Sequence, residues 1–186
     1  MKRKEKATEA EKSTAAVQPN KAQPSVLSDL LFLFLKVLMI GMFLVLFFTF
    51  MFGITQVQDE TMDPAVKEGD LAIYYRLDKR YSKDDVVIVN INDETQIRRV
   101  IAVPGDTVDM DERGLVINGY SQIESDIYTR TEPYVDGITF PITLAQDEVF
   151  VLGDNRPKAV DSRMYGAVKV SATKGKLMTL IRRRNL

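Results

Sequence analysis

The chain has 186 residues and a formal net charge of −1, with 25 Lys and Arg against 26 Asp and Glu, and it contains no His, Cys or Trp. Without imidazole or thiol, Ser-His-Asp and Cys-His hydrolysis, disulfides and ordinary zinc, haem and iron–sulfur sites are excluded, so neither cofactor nor metal is expected. The near-neutral balance argues against a nucleic-acid partner, and the length allows one domain of roughly 100–150 residues with a tail.

Residues 1–25 are polar and low in complexity, with Lys2, Arg3, Lys4, Lys6, Lys12 and Lys21 against Glu5, Glu9 and Glu11, plus Pro19 and Pro24. Too few apolar side chains are present to offset the entropy of ordering them, which predicts a disordered tail. From 37 to 54 the chain is Leu, Phe, Met, Val and Ile, broken only by Gly41, Thr49 and Gly53, and 30–35 extends the run across the single charge Lys36. Roughly 20 such residues cross the hydrocarbon core of a bilayer, and Lys36 can snorkel to the headgroups. A buried helix and a cleaved signal peptide are the alternatives. The run is too long for the apolar region of a signal peptide, and no Ala-x-Ala-like site follows Gly53. We therefore expect an uncleaved transmembrane anchor over 26–55. Six Lys or Arg precede Leu30 and none lies between Val37 and Gln58, so the tail is expected in the cytoplasm and the domain 56–186 outside the cell.

Beyond the anchor, short β-like runs are bounded by turn residues. They are Leu71–Tyr75, Val86–Ile91, 96–103, 115–117, 138–144, Glu148–Leu152, 167–170 and 177–181. Pro104-Gly105-Asp106 and Asn118-Gly119 are turn signals, the second a hairpin dipeptide. This predicts a mainly β domain, a sandwich or barrel, with an insert-like β subdomain at roughly 107–147. The acidic cluster Asp106, Asp109, Asp111 and Glu112 lacks the spacing of a calcium loop and reads as a solvated hairpin turn. Arg182-Arg183-Arg184 can be read equally as a contact with anionic lipid or as a plain soluble tail.

A His-free domain can still host a hydroxyl–lysine dyad, in which a desolvated neutral amine takes the hydroxyl proton. Five segments then acquire meaning in order: Thr61-Met62-Asp63-Pro64, Lys67-Glu68-Gly69-Asp70, Lys83-Asp84-Asp85-Val86-Val87-Ile88, 97–106 around Arg98-Arg99-Val100 and Pro104-Gly105-Asp106, and 153–163 with Gly153-Asp154-Asn155-Arg156 and Asp161-Ser162-Arg163. Together they resemble the boxes of the type I signal peptidase family (S26), membrane-anchored serine proteases that release signal peptides from secreted proteins. The resemblance implies an antiparallel β domain behind one N-terminal membrane helix. It puts Thr61 at the nucleophile position and Arg98 at the general-base position. Asp59, Met62, Pro64, Arg99, Asp154, Asn155, Arg156, Ala159, Asp161, Ser162 and Arg163 would frame the cleft.

The departures fall on the chemistry. The family's serine is Thr61, its lysine is Arg98, and the serine that helps orient that lysine is Ala159. A lysine starts near pKa 10.4 and can be lowered by burial, but arginine starts above about 12 and stays protonated. Adjacent strand residues face opposite ways, so Arg99 cannot substitute for Arg98. We expect Arg98 to pair with Asp59, Glu60 or Asp63, and Arg99 to serve the Asp154/Asp161 turn. Relatives lacking the dyad occur beside genes for covalently linked, sortase-dependent pili of Gram-positive bacteria. The resemblance thus implies a non-catalytic assembly factor for secreted or pilus proteins, its cleft holding extended peptide by strand addition. The alternative is an active signal peptidase I that pairs Thr61 with another base such as Asp59 or Lys158.

Overall fold

The structure, a computed structural model, describes residues 26–182 apart from Arg113 and Asp126. The expected tail 1–25 lies outside the described residues, as do Arg183 and Arg184. The chain divides into two compact units, Met1–Leu44 and Val45–Leu186.

The first unit carries most of α1 (Val26–Met51), whose charges are only Asp29 and Lys36 and none of whose residues is buried. Twenty-six residues at 1.5 Å each give about 39 Å, enough for a hydrocarbon core of about 30 Å. Toward its C-terminus the Thr49 hydroxyl donates to the Val45 carbonyl at 2.7 Å, so the helix satisfies its own polar group.

The second unit opens with the last turns of α1 and then β1 (Phe52–Gln56). The helix stops at Met51, short of the expected residue 55, because the next five residues pair antiparallel with β2 (Leu71–Tyr75), Phe52 opposite Tyr75. Apolar composition alone does not mark that switch. The hairpin β3 (Val86–Ile91) and β4 (Glu94–Ala102) follows. Next come β5 (Thr107–Asp111), β6 (Gly114–Ile117), β7 (Tyr120–Ser121), β8 (Ile142–Thr143) and β9 (Glu148–Leu152). The chain closes with the one-turn α2 (Ser162–Tyr165), β10 (Val168–Lys169) and the long β11 (Thr173–Ile181).

The strands form two antiparallel sheets, a larger one in the order β1-β2-β11-β3-β4-β9-β10 and a smaller one in the order β7-β6-β5-β8. Asn118 and Gly119 join β6 to β7 with φ of 52° and 82°, the left-handed pair a tight hairpin requires. The expected strand over 138–144 shrinks to Ile142–Thr143, since Pro141 has no N–H for a ladder. Of the acidic cluster expected as a turn, Asp109 and Asp111 lie on strand β5, with Asp109 opposite Val116, while Asp106 precedes the strand and Glu112 lies in the turn after it.

Three apolar clusters hold the unit. One, with Phe150, Leu152, Val108 and Leu115, joins the two sheets, and a second gathers Val87, Val89, Val100 and Val151. The third surrounds Met62 with Val57, Val66, Tyr74, Ile88 and Ile97. Met62 is fully buried, so it fastens the loop that carries Thr61 to the larger sheet.

Candidate active site

Thr61 sits in the loop between β1 and β2, and Arg98 lies on β4 opposite Val87. Both are buried, Arg98 to 2% exposure and Thr61 to 9%. The fold brings them into contact: Arg98 Nη1 donates to Thr61 Oγ1 at 2.7 Å. The same nitrogen donates to the Ile97 carbonyl at 2.7 Å, and Nη2 donates to the Val160 carbonyl at 2.9 Å. Arg98 Nε has no partner among the described residues.

The expected ion pair of Arg98 with Asp59, Glu60 or Asp63 is not formed. Arg98 reaches Asp59 only through the threonine, whose Oγ1 donates to Asp59 Oδ1 at 2.6 Å. Glu60 instead pairs with Lys158 at the surface. The physical reason is depth: Asp59 and Glu60 are exposed, while the guanidinium lies inside the domain. Carbonyl oxygens and one hydroxyl therefore solvate a cation for which burial is costly.

Asp59 Oδ1 also accepts the Thr61 backbone N–H at 3.0 Å. An acyl-transfer centre needs donors aimed at the developing oxyanion. Here the amide nearest the hydroxyl is spent on a carboxylate whose charge opposes that oxyanion. The hydrogen bond and attraction of Lys158 to Glu60 raise its pKa, which works against a neutral amine there.

Segment 153–163 forms the other wall. A Cβ on Gly153 would lie 2.6 Å from the Thr61 carbonyl and 2.3 Å from the Ala159 Cβ, so only glycine admits this approach. Asn155 ties the segment to the Thr61 loop through N–H to the Thr61 carbonyl at 3.0 Å and Nδ2 to the Glu60 carbonyl at 3.1 Å. Ala159 is fully buried and supplies no hydroxyl, and the Val160 carbonyl receives the guanidinium instead. Pro64 is exposed beside Asp63, Lys67 and Asn155 in a shallow cavity of about 320 Å³.

Arg99 turns away from Arg98 and clasps Asp154 through Nε at 2.8 Å and Nη2 at 2.5 Å. Asp161 does not share this partner. It accepts from the Gly153 N–H at 3.1 Å, from Arg163 Nε at 2.9 Å and from the Arg163 N–H at 3.1 Å, capping α2. The Ser162 hydroxyl accepts the Val151 N–H at 3.0 Å. Arg156, almost wholly buried, donates to Thr131 Oγ1 at 2.7 Å and pairs with Glu124 at 2.5 Å. These contacts tie Asp161, Ser162, Arg163 and Arg156 to their neighbours through side-chain hydrogen bonds.

Three partners were not singled out from the sequence. The Tyr165 hydroxyl approaches Arg98 without reaching hydrogen-bond geometry, and burial pushes its pKa up to about 12 against the lowering effect of the arginine charge. Tyr134 donates to the Ala159 carbonyl at 2.6 Å beneath the Arg163 guanidinium. Thr131 bridges Arg156 and Glu124. Thr131 and Tyr134 come from a part of the chain outside the motifs, and Tyr165 lies two residues past the 153–163 segment. Among the described residues, no group of three or more carboxylates is placed to hold a metal ion.

The family profile described as "Signal peptidase, peptidase S26" matches residues 4–181. Signal peptidase I of Bacillus amyloliquefaciens is 32% identical over 129 residues, covering 64% of this chain and 69% of that protein. Signal peptidase I of Bacillus licheniformis is 30% identical over 145 residues, covering 72% and 78%. A crystal structure of a signal peptidase I from Enterococcus faecalis V583 aligns with a TM-score of 0.45 at 28% identity, covering 53% of this chain and 97% of that one.

Proposed function

This chain belongs to the signal peptidase family S26, and we propose that it is a member that holds secreted or surface polypeptides without cutting them. In this reading it is a single-pass membrane protein with its N-terminus in the cytoplasm and its β domain outside. The excess of Lys and Arg before the helix supports that orientation. Its clients are exported proteins, with subunits of sortase-dependent pili the specific class.

The observation that carries the reading is the Arg98–Thr61 contact. A base must be neutral to take the hydroxyl proton, and a guanidinium at the base position is charged at every physiological pH. Retention of the frame around a disabled centre favours binding over abandonment. The pilus role rests on the likeness to dyad-lacking relatives.

One observation favours a second reading. The Thr61 hydroxyl already points its proton at Asp59 Oδ1, and the Arg98 cation on the same oxygen would stabilise an alkoxide. Asp59 would then serve as general base in an active signal peptidase. Against this, a carboxylate is a weak base for a hydroxyl, and Asp59 also occupies the Thr61 amide.

Deleting the gene in its own cell tests the assembly role. The reading predicts that the covalent pilin ladder disappears while signal peptides are still removed from exported proteins. An unchanged ladder would contradict the pilus assignment, and accumulation of unprocessed preproteins would favour the second reading.

A further inference from the structure

Within the second unit, Leu46, Thr49, Phe50, Arg76 and Leu77 line an open groove of about 580 Å³. We propose that this groove binds one membrane phospholipid, its phosphate on Arg76 and an acyl chain along Leu46 and Phe50. The proposal rests on the membrane-anchored reading above.

The cations of this loop are not equivalent. Arg80 is paired with Asp78, and Lys79 donates to the Thr173 carbonyl at 2.7 Å. Arg76 has its backbone N–H on the Met51 carbonyl at 2.9 Å and its Nε on the Phe52 carbonyl at 3.1 Å, with its guanidinium over the Tyr74 ring. Both Nη groups lack an acceptor among the described residues. The guanidinium is thus held in place by contacts that leave its outward edge unused. A planar fork fixed in this way matches two phosphate oxygens.

The other wall fits the same ligand. Leu46 and Phe50, exposed near the end of a helix long enough to span a bilayer, and Leu77, exposed just after β2, are apolar. Thr49 places no polar demand on the groove, since its hydroxyl is spent on Val45. The last turn of α1 has no basic residue of its own. Interfacial Lys or Arg commonly anchor such a helix at the headgroups, and here the β1–β2 pairing carries Arg76 to that depth. A helix-capping role for Arg76 accounts for Nε and the backbone N–H, but leaves both Nη groups without an acceptor among the described residues.

Native mass spectrometry of the full-length protein, released by mild detergent from phosphatidylglycerol or phosphatidylcholine vesicles, tests this. Wild type should retain one phospholipid from either membrane, because both carry a phosphate. Arg76→Gln should lower the retained fraction on the order of tenfold, Arg76→Lys less, and Arg80→Gln not at all. Leu77→Ser, outside the sheet, should lower retention several-fold through the apolar wall. Equal retention by wild type and Arg76→Gln, with both still in the membrane fraction, would overturn the lipid site and leave the anchor standing. Displacement of the lipid by millimolar inorganic phosphate would also overturn it, since the anion alone would then suffice. Absence of wild type from the membrane fraction would remove the anchored reading itself.

Discussion

Arg98 and Thr61 are joined by a 2.7 Å hydrogen bond in the interior of the β domain, and the threonine passes its own proton toward Asp59 at 2.6 Å. The chain cation–hydroxyl–carboxylate crosses from a buried strand to an exposed loop, and each member has a set role in its hydrogen bonds. The arginine can only donate, the hydroxyl both donates and accepts, and the aspartate accepts. A hydroxyl held in this way is a link in the structure before it is a nucleophile.

On the proposed non-cutting reading, restoring chemistry should require more than one change. Thr61→Ser with Arg98→Lys and Ala159→Ser supplies hydroxyl, amine and orienting hydroxyl, but leaves Asp59 on the amide of residue 61. Low cleavage of a preprotein is expected from this triple variant, rising about tenfold or more when Asp59→Ser is added. Cleavage unaffected by the fourth change would show that the Asp59 carboxylate does not oppose the oxyanion.

Arg98→Lys alone should destabilise. The shorter ammonium cannot keep contacts to Thr61, Ile97 and Val160 together, and a carbonyl is left unsatisfied in the interior. The expected loss is about 1–3 kcal/mol, read as a lower urea midpoint of the full-length protein in detergent. A stabilised variant would mean that desolvation of the guanidinium outweighs its hydrogen bonds.

Gly153→Ala tests the close approach of the two walls. Its methyl would meet the Thr61 carbonyl and the Ala159 side chain, neither of which can swing aside. A cost of about 1–3 kcal/mol or more is expected, and Gly153→Ala should melt well below wild type. Gly105, with its Cβ position nearly open but φ of 88°, should cost less on the same change.

Much of the fold was legible in the sequence because its signals are local. The apolar run marked α1, and alternation with flanking turns marked β2, β3 and β9 to the residue. The two-residue edge strand β7 was not marked, since two residues carry no period, and β8 was marked too long. Nor was β1, where an apolar helix runs straight into an apolar strand. At the site, the motifs named Thr61, Arg98 and the 153–163 segment. The partners of Arg98 could not be read off, because two are backbone carbonyls set by topology rather than residue type. Charge pairing was the wrong guide for a buried cation when Asp59 and Glu60 stay at the surface.

Tyr165 gives a pH signature. Burial raises its pKa to about 12 in the folded state, against about 10 in an unfolded chain. Its contribution is fully present below about pH 10 and is lost as pH rises from there toward 12, because the unfolded chain releases the proton first. Stability should fall by about 2 kcal/mol across that window, and Tyr165→Phe should remove this part of the fall. Parallel curves for wild type and Tyr165→Phe from urea titrations at pH 9 to 12 would contradict the assignment.

The most direct measurement is of cleavage itself. Full-length protein in detergent or vesicles is incubated with a secreted preprotein bearing an intact signal peptide, beside a Thr61→Ala variant and an active Bacillus signal peptidase I. The account predicts that wild type and Thr61→Ala both leave the preprotein uncut while the Bacillus enzyme processes it. Cleavage by wild type that Thr61→Ala abolishes would contradict it, and would make Asp59 the base to examine next.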